Sequence, residues 1–390
     1  MKKISVRAAA AAVLVCSAVT GTAVYFVTQP SGTEKQLYHA IDEVQNLVDH
    51  KFVGEYDADE LTDYTLAGYT AGLGDRWTTY MDAESYENYQ QQTAESTVGI
   101  GVTVSYQEPE DADSYLRVEK VAYGSPAEES GINVYESIVA VDGKSVKDYG
   151  SYDEVVKAVR GDENTDVVLT VKNADGETRD VTVTRKQYDQ VSVYGKIIDD
   201  DIGYIVIEHF IADTDTRLKD TIAQLQKQGA KKLIFDLRNN PGGQLTTLVG
   251  SLDPLLPEGT IISLTDKQGK TETYTSDADE LDMPMSVIVN ADSYSAAEFF
   301  AADLQYYGKA KVIGEKTCGK GYSQITYPLS NGGAFTLSVN CYYMPDGKSL
   351  IDKGVTPDVE VSLSEEKTAR YYALSEQEDD QLQAAIAALD

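Results

Sequence analysis

Histidine is scarce in this chain, whose 390 residues include only three. His39 and His50 fall in a helical pattern near the N-terminus, and His209 lies in an apolar strand pattern from Tyr204 to Phe210. None of them stands in a motif that indicates a catalytic base. If a serine acts as a nucleophile here, another group has to accept its proton, and a desolvated lysine can do so.

Cysteine is equally scarce, with Cys16, Cys318 and Cys341 as the only three. Three cysteines make neither a disulfide framework nor a CxxC pair for a metal. We interpret Cys16 as an ordinary apolar residue, whereas Cys318 and Cys341 leave two alternatives open, a bridge or two free thiols. We expect no metal site and no organic cofactor.

Positive charge is in short supply, because 33 Lys and Arg face 64 Asp and Glu, for a net charge of −31. This charge disfavours nucleic acid and anionic lipid as partners. It favours solubility and is compatible with cationic substrates. The length of the chain is enough for two or three domains.

The N-terminus carries a targeting signal. Three basic residues within the first seven precede an uncharged stretch from Ala8 to Pro30, about the ~20 residues that a membrane helix needs. A cleaved signal peptide, cut after Ala23, is the alternative. Because the apolar run continues to Val27, we predict that residues 1–30 form a single-pass anchor in the cell membrane. The basic end would stay inside and the rest would be extracytoplasmic, or secreted if the segment is cleaved.

The patterns after the anchor predict an α/β multidomain fold. Apolar residues recur at helical spacing from Leu37 to Val48, and strands alternate with helices from Ile202 to Val361. We assign a helical region to 31–95, a β-rich module to 96–187, a layered α/β core to 188–365 and a C-terminal helical segment to 366–390. The helices within 36–74 and 379–388 either form a homodimer interface or pack within one chain.

The β-rich module resembles a PDZ domain. It opens with Gly99, Ile100, Gly101 and Val102, which match the glycine-rich loop that binds a peptide's terminal carboxylate. Glycines let backbone N–H groups converge on a carboxylate, while the adjacent strand edge pairs with the peptide. Gly124-Ser-Pro-Ala and Val141-Asp-Gly fit the type associated with bacterial proteases.

One departure from the PDZ pattern stands out. Tyr135 and Glu136 occupy the place where such modules usually carry Gly-Asp. This departure affects the expected local turn more than the fold.

Ser295 is the candidate nucleophile. It follows an apolar strand and a tight turn and opens a helix, so its hydroxyl is expected to be exposed at the positive end of that helix. Ser295 and Glu298 also form a capping box, so capping alone is the alternative. Ser293 is a rival nucleophile.

Lys320 is the candidate base, because its neighbours Gly319 and Gly321 allow another part of the chain to approach closely. The usual lysine pKa of about 10.4 has to fall by desolvation before the side chain accepts a proton near neutrality. A solvated loop lysine is the alternative. Gln324, four positions later, is placed to orient Lys320. The rival lysines are Lys309, Lys311 and Lys316.

A loop before a helix is the candidate oxyanion site. The stretch from Asn240 to Gly243 ends a strand, and free backbone N–H groups there can stabilise a negative oxygen. The amide of Ala296, next to Ser295, is the natural second donor. An ordinary helix-entry turn is the alternative.

Together these segments resemble the carboxy-terminal processing, or tail-specific, serine proteases. The matching stretches are Gly72 to Tyr80, Gly99 to Val102, Asp236 to Gly243, Ser293 to Glu298, Gly314 to Gly321, Tyr343 to Gly347 and Lys353 to Asp358. The resemblance covers nearly everything after residue 35, in order. Tyr294, Ala297 and Cys318 depart from the residues usual around the dyad in this family, with expected effects on pocket shape and redox sensitivity.

The resemblance implies a PDZ domain ahead of a Ser–Lys catalytic core. It assigns Ser295 as nucleophile, Lys320 as general base and Gln324 as the residue that orients the base. It further implies the Gly243 and Ala296 amides as oxyanion donors, and Arg160 as the residue that couples the PDZ domain to the active site.

The predicted function is a membrane-anchored, extracytoplasmic serine endopeptidase that recognises protein or peptide substrates by their C-termini and cuts through an acyl-enzyme. The alternatives are a catalytically silent PDZ-containing scaffold of the cell envelope and a purely structural anchor protein.

Overall fold

The computed structural model describes residues 32–93, 96–109 and 112–389. The anchor predicted at 1–30 lies outside these residues. None of the helices within the described ranges is both long enough and apolar enough to cross a membrane. The chain divides into two compact units, the first ending at Tyr64 and the second beginning at Thr65.

The N-terminal helices follow the predicted periodicity. Helix α1 spans Gly32–Lys51 and helix α2 spans Ala58–Ala71. On α1 the apolar side chains Leu37, Ile41, Val44 and Leu47 are all exposed. Strand β1 (Thr79–Met81) and helix α3 (Ala83–Thr93) come next, and three residues are too few for β1 to give a sequence pattern.

The PDZ-like module is built around a small antiparallel sheet. Its elements are β2 (Ser96–Gly99), β3 (Val102–Gln107), β4 (Tyr115–Val121), α4 (Pro126–Glu129), β5 (Ser137–Val141), β6 (Lys144–Ser145), α5 (Tyr152–Val159), β7 (Asp166–Lys172), β8 (Thr178–Thr184) and β9 (Lys186–Asp189). The strand order is β3-β4-β5-β7-β8, with β6 on β5 and β2 on β9. Within the described chain, β3 is therefore an edge strand of this sheet.

The core of the second unit is a layered α/β structure, as predicted. Its main elements are β10 (Val193–Ile198), β11 (Ile202–Ile207), α6 (Thr214–Gln228), β12 (Lys232–Asp236), α7 (Leu245–Leu252), β15 (Met285–Val289), α8 (Ala296–Tyr306), β16 (Ala310–Gly314) and β19 (Val359–Glu360). The strand order is β10-β11-β12-β15-β16-β19, and every pair but the first is parallel. Parallel strands are buried on both faces, which explains the continuous apolar runs.

A second sheet covers this core. It consists of β13 (Gly259–Asp266), β14 (Thr271–Ser276), β17 (Tyr322–Pro328) and β18 (Ala334–Tyr343). Strand β1 also pairs with β18. Strand β1 therefore belongs to the core rather than to the helical region. The chain ends in α9 (Glu365–Ala369), a short 3₁₀ turn at Tyr371–Ala373 and α10 (Asp380–Ala387).

The topology brings two loops to one edge of the core sheet. Strands β12 and β15 are parallel neighbours, with Phe235 opposite Val287. Their carboxyl ends therefore meet, and the loops that follow them lie side by side. One loop leads through Asn240 to Gly243, and the other leads through Ser293 to Ser295.

Candidate active site

Ser295 occupies the N-cap of α8 in a strained backbone conformation. Its φ of 59° and ψ of −122° lie where residues other than glycine are rare. Such a conformation costs on the order of 1–3 kcal/mol and persists where the surrounding structure holds it. The residue is 8% exposed, at the junction of a sharp turn and a helix.

Glu298 ties the nucleophile segment to the lysine segment. The capping box with Ser295 forms, and the Glu298 carboxylate accepts a hydrogen bond from the Ser295 backbone N–H at 2.9 Å. The same carboxylate accepts from the N–H groups of Gly319 at 2.7 Å and Lys320 at 2.8 Å, and from the Thr317 hydroxyl at 2.6 Å. Burial raises the pKa of Glu298, and these four donors oppose the rise. The sequence indicated only the cap, because the other three donors come from a later loop.

The Lys320 side chain is desolvated between two aromatic rings. Its Nζ lies 4.8 Å from the ring centroid of Trp77 and 5.5 Å from that of Tyr294. Burial lowers its pKa below the ordinary value of 10.5, and the nearby Cys318, Glu298 and Asp75 only partly offset this. The shift has the direction that a lysine base requires. In the described part of the chain, no hydrogen bond joins Lys320 Nζ to Ser295 Oγ.

The rival residues have other partners. The Ser293 hydroxyl is fully buried and donates to the Leu237 carbonyl at 2.7 Å, which holds the turn together. Lys309 pairs with Glu280 at 3.4 Å, and Lys311 with Asp358 at 3.7 Å. Lys316 is exposed.

Gln324 lies on β17 and contacts its own hairpin. Its Nε2 donates to the Tyr322 carbonyl at 3.0 Å and to the Ser338 hydroxyl at 3.2 Å. The predicted contact with Lys320 is not made in this conformation.

Asp75 was not singled out from the sequence, although it lies in the matching stretch from Gly72 to Tyr80.

Asp75 supplies negative charge on the Lys320 side of the site. Burial alone would raise its pKa, but hydrogen bonds from Thr78, Ser338 and the Trp77 N–H, together with the Lys320 ammonium, bring it below the usual range. Asp75 and Trp77 therefore shape the environment in which the lysine resides.

The glycine loop packs against the start of α8. A Cβ on Gly242, whose φ is 88°, would lie 2.8 Å from Ser295 Cβ and 2.9 Å from the Ala296 nitrogen. A Cβ on Gly243, whose φ is 146°, would lie 2.1 Å from the Phe210 carbonyl oxygen. Both positions need glycine, because of the backbone angle and because of the space.

The backbone pairing leaves two amides free at this junction. Phe210 donates to the Gly242 carbonyl at 2.9 Å and accepts from the Gln244 N–H at 2.7 Å, a parallel bridge that leaves the Gly243 N–H unused. The Ala296 N–H lies in the first turn of α8, where backbone N–H groups have no acceptor within the helix. Over the described ranges, neither amide has a hydrogen-bond acceptor. This pair can stabilise a negatively charged oxygen beside Ser295.

Comparison with known proteins identifies the family. The family model of peptidase family S41 matches residues 201–361, and the family model of the PDZ domain matches residues 117–173. The "Probable CtpA-like serine protease" of Staphylococcus aureus (strain COL) is 33% identical over 371 residues, which cover 93% of this chain and 72% of the relative. The chain belongs to the carboxy-terminal processing serine proteases of family S41. It is a serine-type endopeptidase of this family.

Two further relatives agree with this S41 assignment. "Carboxy-terminal processing protease CtpA" of Bacillus subtilis (strain 168) is 30% identical over 347 residues, covering 88% of this chain and 73% of that protein. Among solved structures, the photosystem II D1 C-terminal processing protease is 25% identical, with a TM-score of 0.51, and covers 87% of this chain and 91% of its own.

Two residues of the PDZ loop of this S41 protease are fixed by their surroundings. Gly101 has a φ of 81°, and a Cβ there would lie 2.2 Å from Ser125 Cβ, so the position requires glycine. Ile100 is buried and accepts from the Ala127 N–H at 2.8 Å. The Tyr152 hydroxyl, at the start of α5, donates to the Val104 carbonyl on the edge strand β3 at 3.3 Å.

Arg160 links the PDZ module to α3. Its Nη1 donates to Asn88 Oδ1 at 2.8 Å, and Lys157 pairs with Glu84 one turn away at 3.2 Å. Helix α3 directly follows β1, which in turn follows Trp77 beside Lys320. The coupling role of Arg160 stays a prediction.

Cys318 and Cys341 are free thiols, so the bridge alternative is wrong. The Arg76 guanidinium donates to the Cys318 carbonyl at 3.3 Å. The two cysteines therefore add no covalent constraint around Lys320.

Proposed function

We propose that this endopeptidase binds the C-terminus of a protein substrate on its PDZ module and cleaves the chain through an acyl-enzyme on Ser295, with Lys320 as general base. The observation that carries the proposal is the Glu298 carboxylate, which holds the backbones of Ser295 and Lys320 together. The free amides of Gly243 and Ala296 beside Ser295 support it.

The chemistry follows from this geometry. Ser295 Oγ attacks the scissile carbonyl carbon while neutral Lys320 takes the hydroxyl proton. The Gly243 and Ala296 N–H groups donate to the oxygen that becomes negative. The C–N bond then breaks, Lys320 gives its proton to the leaving amine, and water hydrolyses the ester in a second round of the same proton transfers.

The described conformation corresponds to a resting arrangement in this proposal. Lys320 Nζ lies between Trp77 and Tyr294, and Gln324 is bonded within its hairpin. Glu298 fixes the Lys320 backbone, and the proposal requires a rotation of the Lys320 side chain that brings Nζ to Ser295 Oγ. Gln324 would orient the amine only after this rotation.

Cleavage of an unstructured protein substrate tests the proposal. Ser295→Ala and Lys320→Ala should each lower kcat by about four to six orders of magnitude without unfolding the protein. Lys316→Ala is the matched control, because Lys316 is an exposed lysine in the same loop. Cleavage by Ser295→Ala at the wild-type rate would show that another residue is the nucleophile. A wild-type protein that binds the C-termini of substrates but cleaves none of them would favour the catalytically silent scaffold.

We also propose that residues 1–30 anchor the enzyme with its catalytic part outside the cytoplasm, on the basis of the basic N-terminal residues and the apolar run that follows. Protease shaving of intact cells should remove the S41 core while a short N-terminal fragment stays in the membrane fraction.

A homodimer through α1 is supported by its exposed Leu37, Ile41, Val44 and Leu47. Sedimentation of the purified chain distinguishes a dimer from a monomer.

A further inference from the structure

Two asparagines join the loop after β12 to the turn after β15. We call residues 239–243 the oxyanion loop and residues 290–294 the nucleophile turn. Asn239 begins the first segment and Asn290 begins the second. Asn290 Nδ2 donates to Asn239 Oδ1 at 2.8 Å, and Asn290 Oδ1 accepts from the Asn239 backbone N–H at 2.9 Å. This reciprocal pair connects two segments that are 51 residues apart in the chain.

The Asn290 amide also shapes its own turn. Its Oδ1 accepts from the Asp292 backbone N–H and from the Ser293 hydroxyl, each at 3.2 Å. The backbone N–H groups of Asn239 and Asp292 can only donate, so the oxygen of the amide has to lie on their side. The NH₂ group is then left for Asn239 Oδ1. One side chain therefore sets both the shape of the nucleophile turn and its contact with the oxyanion loop.

Asn240 adds a second connection between the two segments. Its side chain is fully buried, with Nδ2 donating to the Ile207 carbonyl and Oδ1 accepting from the Gly242 N–H, both at 2.7 Å. Its backbone carbonyl accepts from the N–H of Tyr294 at 3.1 Å, directly before Ser295. The oxyanion loop and the nucleophile turn thus meet at two successive residues of the loop.

The two candidate oxyanion donors lie on opposite sides of this junction. Gly243 ends the oxyanion loop, whereas Ala296 follows the nucleophile turn and Ser295. A shift of the loop against the turn changes the distance between the two N–H groups. Because oxyanion donors act through their preorganised position around the developing charge, such a shift raises the barrier of the chemical step.

We propose that Asn290 is a positioning residue that acts through Asn239 and keeps the oxyanion loop in register with the nucleophile turn. Asn290 takes no part in proton transfer. The inference rests on the proposed function of the Gly243 and Ala296 amides. It predicts that loss of the hydrogen bond from Asn290 to Asn239 slows acylation without weakening substrate binding.

The test compares steady-state cleavage of an unstructured protein substrate with labelling of Ser295 by a fluorophosphonate probe. Asn290→Asp keeps the shape and one acceptor oxygen, but it places a second oxygen against Asn239 Oδ1. Asn239→Gly removes that Oδ1 and keeps the backbone N–H, and the φ of 59° at this position suits glycine. Each variant should lower kcat and the labelling rate about tenfold and leave KM unchanged.

Two further variants give matched comparisons. Asn239→Asp keeps an acceptor for Asn290 Nδ2, so its kcat should stay within about threefold of the wild-type value. Asn340→Asp is the control for the loss of an amide donor. Asn340 is half-buried on β18, where its Nδ2 donates to Ser323 Oγ at 2.8 Å, so its kcat should equal that of the wild type.

Wild-type kcat in Asn290→Asp or in Asn239→Gly would overturn the inference, as would equal losses in Asn239→Gly and Asn239→Asp. A rise in KM with kcat unchanged would also contradict it. The comparison of the two Asn239 variants decides the question even if Asn290→Asp fails to fold. A wild-type protein that the probe does not label at Ser295 would instead overturn the proposed function itself.

Discussion

The buried carboxylate of Glu298 accepts the backbone N–H of Lys320 at 2.8 Å, 22 residues further along the chain. With its bond to the Ser295 N–H, this contact makes one side chain the common support of the proposed nucleophile and base. A glutamine has almost the same shape, but only one of its two terminal atoms is an oxygen. It can therefore accept the hydrogen bonds of only one of the two Glu298 oxygens. The contact therefore gives the first prediction.

Glu298→Gln should lower both stability and activity. Its NH₂ group would face N–H donors that now meet a carboxylate oxygen, and unsatisfied buried donors cost about 1–3 kcal/mol each. We expect a loss of about 2–4 kcal/mol in the free energy of unfolding by urea and a slower fluorophosphonate labelling of Ser295. Glu315→Gln is the control, as a glutamate at the end of the preceding strand. Equal stability and labelling in both variants would show that Glu298 is only a helix cap.

The pH dependence of acylation should follow Lys320. Because burial lowers its pKa below 10.5, the neutral base becomes abundant at a lower pH than for an exposed lysine. We expect kcat/KM to rise with pH and level off below pH 10.5. Between the folded and unfolded pKa values the unfolded chain binds more protons, so this lysine also makes stability rise with pH in that window. Lys320→Ala should lose both effects, whereas a wild-type profile that levels off only above 10.5 would contradict the shift.

Gly242→Ala should inactivate the enzyme more than it destabilises it. The new Cβ would meet the Tyr294 carbonyl at 2.7 Å and displace the loop from Ser295. Removal of an oxyanion donor typically lowers kcat by about 10²–10³-fold, and we expect a loss of this order. Gly269→Ala is the matched control, because its φ of 82° imposes the same strain with nothing within 4 Å. Similar kcat values for the two variants would show that the contact with Ser295 has no role.

Asp303 should weaken the fold at high pH. It lies fully buried on α8, neither of its carboxylate oxygens has a partner in the described structure, and burial raises its pKa well above the usual value. The folded chain therefore holds a proton that the unfolded chain has lost, and stability falls as pH rises above 3.8. Asp303→Asn should flatten this fall above pH 3.8 in urea unfolding. Parallel slopes for the two proteins would show that Asp303 does not carry the effect.

Most of the fold could be predicted from the sequence, because its elements carry local signals. The apolar runs of β12 and β15, the helix that begins after Ser295 and the Gly242–Gly243 turn each have a recognisable pattern. Strand β1 is too short to show a pattern. Its place beside β18 is decided by tertiary pairing.

The side-chain arrangement of the site could not be predicted in the same way. Whether Lys320 Nζ points to Ser295 or lies beside Trp77 depends on packing between segments more than 200 residues apart. The second role of Glu298 likewise depends on packing against the later loop that carries Lys320, and the pairing of Gln324 with Ser338 depends on the register of their hairpin. Sequence patterns identify the residues of such a site but do not determine its conformation.

The most direct measurement is the location of a fluorophosphonate adduct by mass spectrometry at neutral pH. We predict an adduct on Ser295 in the wild-type protein and in Ser293→Ala, and a labelling rate that falls by orders of magnitude in Lys320→Ala. An adduct on Ser293, or Lys320→Ala labelled at the wild-type rate, would contradict the Ser295–Lys320 dyad.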